Sequence, residues 1–372
     1  MDAKNSGLAR QLYVILCPWP VKAGTGVNNA ILGIAGAMSE RYEPRIAVTG
    51  WSSPAPGQTW LKLRAPQKSI KSKLGTLAHL LPDMLRLRRL TRGAAAVNAH
   101  FFGLEILPLA LLRLFRLAPP LILSVHGSDV AEVERSTGWM RAIQAWIYAQ
   151  GDVCIACSNA LAAKVKRISP SANVVTVWNG VSSPPAVPGE RPLAAPYLIC
   201  VANFVPVKAH AVLLEAFRRV AEIRPDLHLV LLGGDGPERA PVRQRIAELG
   251  LEDRAHMHVN VPHEQVWNWV RHAECFILAS RNEAFGIAVL EAGLLRTPVV
   301  ATCVGGIPEF LTDGEHGLLC EPDNPDQLTA AILETLGYPE KARLRADVFH
   351  SRAVQFTWDR SFEKYMEFAG LR

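Results

Sequence analysis

Short apolar runs alternate with stretches of helical periodicity along most of the chain. LYVILC (12–17), PRIAVTG (44–50), AAVNAHF (95–101), PLILSVHG (120–127), DVCIACS (152–158) and NVVTVWN (173–179) are short and rich in apolar and β-branched residues. Segments such as NNAILGIAGAMSERY and ALAAKVKRI lie between them. Strands that are apolar on both faces and separated by helices predict parallel sheets built from βαβ units. SSPPAVPGERPLAAP (182–196) then breaks the pattern with five prolines in fifteen residues, a linker composition. After it the alternation restarts. YLICVAN precedes a helix over 209–221, LHLVLLGG one over 241–249, AHMHVN one over 264–272 and ECFILAS one over 286–295, and PVVATC leads into a loop.

At 372 residues the chain exceeds one ordinary core. The predicted class is α/β, with two domains at 1–182 and 197–350, a Pro-rich linker at 183–196 and a C-terminal helical segment at 351–372. Ligands of such sheets bind beyond the carboxyl ends of the strands.

A composition of 49% hydrophobic and 20% charged residues excludes a disordered chain. Most of the seven cysteines sit inside apolar runs, as buried thiols do. Cys154 and Cys157 have CxxC spacing, but the pair lies in a strand-like run with no second pair, which argues against zinc or redox chemistry. The polar opening MDAKNSGLAR does not read as a signal peptide, and 104–124 carries Arg113, Arg116 and two prolines, a poor membrane span. A cytoplasmic protein, peripheral at most on the inner face of a membrane, is the expectation.

The formal charge of +6 is uneven. Residues 62–92 hold nine Lys/Arg against Asp83 alone, a local +8, so the remainder is near neutral. Within this segment Leu74, Leu77, Leu81, Met84 and Leu85 recur at helical spacing, with Pro82 as an interruption. Cations beside an apolar stripe suit an anionic membrane surface, and a packed helix with solvated arginines reads equally well. No module for nucleic acid is visible.

Candidate chemistry concentrates in RNEAFGIAVLE (281–291). Glu283 falls in the loop after a strand, and Glu291 in the second turn of the helix that follows. Gly286 at the helix start lets backbone approach a ligand, and the free N–H groups there attract phosphate. Two carboxylates flanking such a pocket suit neutral hydroxyls, although a capping carboxylate and a solvated glutamate would look the same.

This stretch resembles the Glu-x7-Glu motif of the retaining glycosyltransferases of family 4, which have the GT-B architecture of two facing Rossmann-like domains. The downstream PVVATCVGGIPEFLTDGEHGLLCEPDNPDQL is similar to that family's strand, its GG-x-P-E loop and the segment after it. The resemblance implies that Glu283 contacts donor-sugar hydroxyls and Glu291 the nucleoside ribose, while Phe285, Gly286 and Ile287 place backbone N–H groups near the diphosphate. VANFVPVKAHAVLLEAF (201–217) resembles the family's Gly-Arg…Lys segment, with Lys208 at the position that pairs with the diphosphate and Asn203 in place of the usual arginine. GGDGPE (233–238) fits the family's equivalent turn. LSVHGSDV (123–130) resembles the H-G-x-D element, which puts His126 beside the donor sugar, and His100 is a lesser candidate near the acceptor. Gly24 and Gly26 fit a Gly-rich loop after the first strand, where a plain βα turn reads nearly as well. FTWDRSFEKYMEF resembles the C-terminal helix that crosses back onto the first, acceptor-side domain.

The implied activity is transfer of a hexose from a nucleotide diphosphate sugar to a lipid-linked or glycan acceptor with retention, in bacterial-type polysaccharide or glycolipid assembly. Lys208, Glu283 and His126 would be the catalytic groups, and no metal or other cofactor is expected. A GT-B nucleotide-sugar epimerase and a non-catalytic sugar-nucleotide or membrane binding module are the alternatives.

Overall fold

The computed structural model describes residues 10–371, apart from 23–25, 51, 62, 64–69 and 185–188, and only the backbone of 70–78. Gly24, Lys62, Arg64 and Lys68, and the side chains of Lys71, Lys73, Leu74 and Leu77, therefore lie outside the described residues. The chain forms two compact units. One comprises the stretch up to Lys22, Val27–Trp178 and the chain from Trp358 onward, and the other Asn179–Thr357.

The first unit carries β1 (Gln11–Cys17), α1 (Gly26–Met38), β2 (Tyr42–Val48), β3 (Thr59–Trp60), α2 (Ile70–Thr91), β4 (Ala96–His100), α3 (Leu107–Leu114), β5 (Leu121–Val125), α4 (Ser128–Arg135), α5 (Gly138–Gln150), β6 (Val153–Ala156), α6 (Asn159–Ile168) and β7 (Val174–Thr176). The second carries β8 (Tyr197–Val201), α7 (His210–Ile223), β9 (His228–Gly233), α8 (Arg239–Glu248), β10 (Ala255–Val259), α9 (His263–Arg271), β11 (Cys275–Leu278), α10 (Ile287–Leu294), β12 (Val299–Thr302), β13 (Leu318–Cys320), α11 (Pro325–Gly337) and α12 (Pro339–Ala353). The last helix, α13 (Trp358–Ala369), belongs to the first unit.

Both sheets are parallel, ordered β3-β2-β1-β4-β5-β6-β7 and β10-β9-β8-β11-β12-β13. Each reverses direction once, between β1 and β4 in one sheet and between β8 and β11 in the other. Beyond the carboxyl ends of such strand pairs lies the crevice where open α/β sheets bind ligands. The predicted α/β class with two Rossmann-like units is what the structure shows.

The core of the first unit joins Tyr13 and Ile15 of β1 to Ile31, Ile34 and Met38 of α1, and to Phe362, Tyr365 and Met366 of α13. Gly33 is what lets α1 meet Trp358, since a Cβ there would lie 2.2 Å from the indole ring. In the second unit, Phe285, Phe310, Phe349 and Phe356 form a chain of ring contacts beneath α10.

Two sequence expectations are corrected. Pro82 does not interrupt α2, which is continuous over Ile70–Thr91. Pro82 lies on the exposed side, while Asp83 and Leu87 are buried, so packing of that face offsets the missing backbone bond. Of the stripe read at 74–85, Leu81 and Leu85 are exposed, which speaks against the packed-helix alternative at those two positions. The segment after PVVATC is not all loop, since it contains the edge strand β13, and the short edge strand β3 is a further addition.

Candidate functional site

In the second unit, the switch point collects the ends of β8 and β11. The chain leaves β8 through Asn203, makes a 3-10 turn over Pro206–Lys208, and enters α7 after Ala209, a non-glycine residue at φ 51°. Lys208 Nζ donates to Glu283 Oε1, which also accepts from Ser280 Oγ at 2.8 Å. Both members of the ion pair are largely shielded, with side-chain exposures of 21% and 11%. The stretch 281–286 is clamped from two sides. Arg281 N–H donates to the Val207 carbonyl at 2.8 Å, and Gly306 N–H donates to the Glu283 carbonyl at 3.2 Å. Gly305, at φ 56°, would put a Cβ 1.6 Å from that carbonyl oxygen, so the first glycine of the GG-x-P-E loop is sterically required.

Gly286 caps α10 at φ 101° and ψ 48°. Phe285 turns its buried ring into the aromatic core, so what this segment can offer a ligand is backbone. The N–H groups of Ile287 and Ala288, at the first two helical positions, have no intrahelical acceptor and carry the positive end of the helix dipole. One turn further, Glu291 is buried and its Oε1 lies 3.1 Å from His263 Nε2 at the start of α9. The hydrogen bond to Glu291 raises the His263 pKa above its ordinary value against the opposing effect of burial. Trp267 packs edge-on against the same imidazole.

Each carboxylate of the Glu-x7-Glu motif thus has its own basic partner, Lys208 for Glu283 and His263 for Glu291. This tempers the repulsion that two bare carboxylates would exert on a diphosphate between them. Neither partner is legible from the motif, because each lies 28 residues or more away, Lys208 in the turn after β8 and His263 at the start of α9.

Asn203 serves the scaffold. Its Oδ1 accepts from Gly234 N–H at 2.9 Å, and Phe204 N–H donates to the Gly234 carbonyl at 3.1 Å. A Cβ on Gly233 would lie 2.0 Å from the Ala202 carbonyl, and one on Gly236 2.2 Å from that of Phe204. The GGDG turn is therefore glycine-rich so that the exits of β8 and β9 can touch, and Asn203 is the latch between them. It returns no cation to the position where the family's arginine stands.

In the first unit, His100 ends β4 and His126 follows β5, on neighbouring strands. Their rings stack, with centroids 5.2 Å apart, and His100 Nδ1 lies 3.0 Å from His126 Nε2. His100 is buried whereas His126 is partly exposed, so His126 is the member of the pair with open surface. Its Nε2 has no partner among the described residues. A buried lone pair left unpaired costs less than a buried N–H, which assigns the proton to His100 Nδ1. His126 Nε2 then accepts, and His126 offers Nδ1–H as a donor. Burial keeps both imidazoles neutral, with the His126 pKa pushed down to about 4.

Asp129 fixes the turn that carries His126. Its carboxylate accepts from the backbone N–H groups of His126 (3.1 Å), Gly127 (2.7 Å) and Val130 (2.9 Å), while burial pushes its pKa up to about 6. In the Gly-rich loop, Gly26 opens α1 with no atom within 4 Å of a would-be Cβ, so the fold itself does not demand glycine there. The flank of that loop is held by Trp19 Nε1–H and by the Lys22 carbonyl, both bonded to Asn28.

Cys154 and Cys157 are buried and neither is in a disulfide. Among the described residues, no group of three or more His, Cys, Asp or Glu could hold a metal ion, and no helix is long and apolar enough to cross a membrane.

Two family models match the chain, "Glycosyltransferase Family 4" over residues 24–183 and "Glycosyl transferases group 1" over 188–346. The D-inositol 3-phosphate glycosyltransferase of Thermomonospora curvata is 33% identical over 186 residues, which cover 47% of this chain and 43% of that one. A phosphatidylinositol N-acetylglucosaminyltransferase component of Arabidopsis thaliana is 31% identical over 176 residues, covering 45% and 39%. The chain thus matches less than half the length of these curated relatives. Solved structures resemble it over nearly their whole length. Sucrose-phosphate synthase from Thermosynechococcus elongatus superposes with TM-score 0.78 at 20% identity, covering 97% of this chain and 99% of that one. HepE of Anabaena, in complex with UDP and glucose, gives 0.77 at 18%, covering 97% and 100%.

Proposed function

The chain belongs to the GT-B glycosyltransferases of group 1 and family 4, and from that premise we propose that it transfers a hexose from a nucleotide diphosphate sugar to an acceptor hydroxyl with retention. The observation that carries this reading is the paired geometry around α10. A helix N-terminus opens at Gly286 between Glu283, bonded to Lys208 and Ser280, and Glu291, bonded to His263. The diphosphate is placed over the N–H groups of Ile287 and Ala288. Glu291 takes the ribose diol and Glu283 the sugar hydroxyls. The relative solved with UDP and glucose makes UDP-glucose the first donor to test.

As the sugar–oxygen bond to the diphosphate breaks, negative charge grows on the leaving phosphate. Lys208 and the helix N-terminus are fixed in advance to stabilise it, a contribution of roughly 3–4 kcal/mol per key donor. The acceptor hydroxyl attacks the anomeric carbon from the face the leaving group departs, and its proton passes to the departing phosphate oxygen. His126, through Nδ1–H, orients the sugar. This scheme needs no resident metal, because the chain's own groups supply the positive field. The acceptor we propose is a lipid-linked or glycan hydroxyl, in polysaccharide or glycolipid assembly, with the basic segment 62–92 turned to an anionic membrane.

The test is Glu283→Ala. Transfer should fall at least about a thousandfold while the melting temperature without donor stays within a few degrees. Unchanged activity would remove the donor-site assignment. Release of UDP without any glycosylated product would favour hydrolysis or epimerisation over transfer.

A further inference from the structure

We infer that the first unit carries a membrane-docking site on the edge of its sheet opposite His100 and His126, built for the phosphates of anionic phospholipids. It deepens the proposed use of a lipid surface and rests on that reading only in the choice of occupant. Four arginines, Arg88 and Arg89 from the last turn of α2, Arg92 just beyond it and Arg116 from the loop between α3 and β5, line one open cavity of about 590 Å³. Leu85, Thr91, Gly93, Leu117, Ala118 and Pro119 complete its wall. The cavity sits where the chain enters β4 and β5, at the amino ends of those strands, whereas the two histidines lie at or just beyond their carboxyl ends.

No carboxylate is among the residues that line this cavity. The neighbouring Arg86 and Arg113 are engaged elsewhere, with Asp83 and Asp152 respectively. Four like charges around one opening repel each other and favour an anionic occupant. What makes that occupant a lipid surface rather than a dissolved anion is the rim. Leu81, Leu85, Leu114, Phe115 and Leu117 are 45–65% exposed. Leu81, Leu85 and Arg88 fall at i, i+4 and i+7 of α2, so apolar and cationic positions share one face, and Arg92 follows just past the helix end. The loop residues are presented by a strained turn. Arg116 stands at φ 55°, a conformation costly for a residue with a Cβ, between exposed Phe115 and Leu117. Such a rim of large apolar side chains is unfavourable in water and matches the headgroup–acyl boundary, where arginines reach phosphate and leucine and phenylalanine enter the hydrocarbon.

Flotation of the whole chain with vesicles tests this. Binding should be strong on phosphatidylcholine containing about one third phosphatidylglycerol and weak on phosphatidylcholine alone. Each surface-facing arginine contributes about fivefold in affinity, so Arg88→Gln with Arg92→Gln should weaken binding about 25-fold. Phe115→Ser should weaken it at both low and high salt, while the same exchange count at Arg343 and Lys341 should change little. Stabilisation by UDP-glucose, measured on each variant, reports the fold and the donor site separately. If that stabilisation is absent while flotation behaves as described, the transferase reading fails and this one stands. Flotation indifferent to phosphatidylglycerol, or unchanged in the double variant, overturns the docking site. Protection by inorganic phosphate with no vesicle binding would make it a site for a soluble anion and also overturn it.

Discussion

The two switch points solve the same local problem with opposite electrostatics. In the second unit both carboxylates are matched by basic side chains, Lys208 and His263, and the helix dipole at Gly286 adds positive field. In the first unit a stacked pair of imidazoles is held neutral by burial, and the carboxyl of Asp129 is absorbed by backbone N–H groups. On the proposed function, one region would respond to charge that develops on a ligand, and the other would hold a neutral polyol by direction alone. Substitutions in the two regions should therefore fail in different ways.

Among the substitutions that contrast the two regions, Lys208→Met should give the largest effect. It removes the lysine bonded to Glu283 and leaves that shielded carboxylate with the Ser280 hydroxyl as its donor. We expect kcat to fall by about 10²–10³, the loss typical of a transition-state donor. KM for UDP-glucose should rise less. His126→Asn keeps a donor at a similar place and should cost kcat no more than about tenfold. Equal losses in both variants would erase the distinction between a charge-responsive and a directional half-site.

Gly305→Ala comes next, with stability as the readout. A Cβ 1.6 Å from the Glu283 carbonyl cannot be accommodated without moving backbone, and the positive φ adds strain. A loss of about 2–4 kcal/mol is expected in denaturant unfolding, with donor binding weakened in the fraction that folds. Gly26→Ala meets open space and should be neutral for stability.

The contrast between these glycines also marks what is legible in the sequence. Gly286 and the two glutamates can be read because they are contiguous, with periodicity placing them on one loop and one helix. The parallel sheets can be read because strands buried on both faces appear as unbroken apolar runs. The partners of the site cannot. His263, Ser280 and Asn203 acquire their roles from which strand exits lie side by side, and that order is set by the sheet reversal between β8 and β11. Gly26 looks like a functional glycine for the same reason that Gly305 does, and only the clash with Glu283 separates Gly305 from it. Pro82 misleads because a local rule points to an interruption where buried Leu87 and Asp83 decide the outcome.

Acid should expose the neutral half-site. His126 has a folded pKa of about 4, against about 6.5 in the unfolded chain. Between these values the unfolded chain binds more protons, so stability falls as the pH drops through this window. The full difference corresponds to about 3 kcal/mol at most. His210 in the second unit has the same sign, and Asp129, raised to about 6, has the opposite one, since its folded form gains protons there first. His126→Asn should therefore flatten the loss between about pH 6.5 and 4 without abolishing it, as followed by urea unfolding at several pH values.

The smallest effect is the most specific to the charged half-site. His263 gains its proton more readily when folded because Glu291 faces it. A raised histidine pKa gives stability that is complete below the unfolded value near 6.5 and disappears as pH rises through the folded value. With 29% of the His263 side chain exposed, screening limits this to under about 1 kcal/mol. His263→Gln should remove that slope above about pH 6.5 while leaving the acid limb set by His126 unchanged. Donor affinity should respond as well, because in the proposed donor pose Glu291 would exchange its bond to an imidazolium for bonds to ribose hydroxyls. UDP-glucose should therefore bind somewhat more tightly to the wild type above the His263 pKa than below it, and the glutamine variant should show no such step. A step of the same size in both proteins would place the titrating group elsewhere and return Glu291 to a structural role.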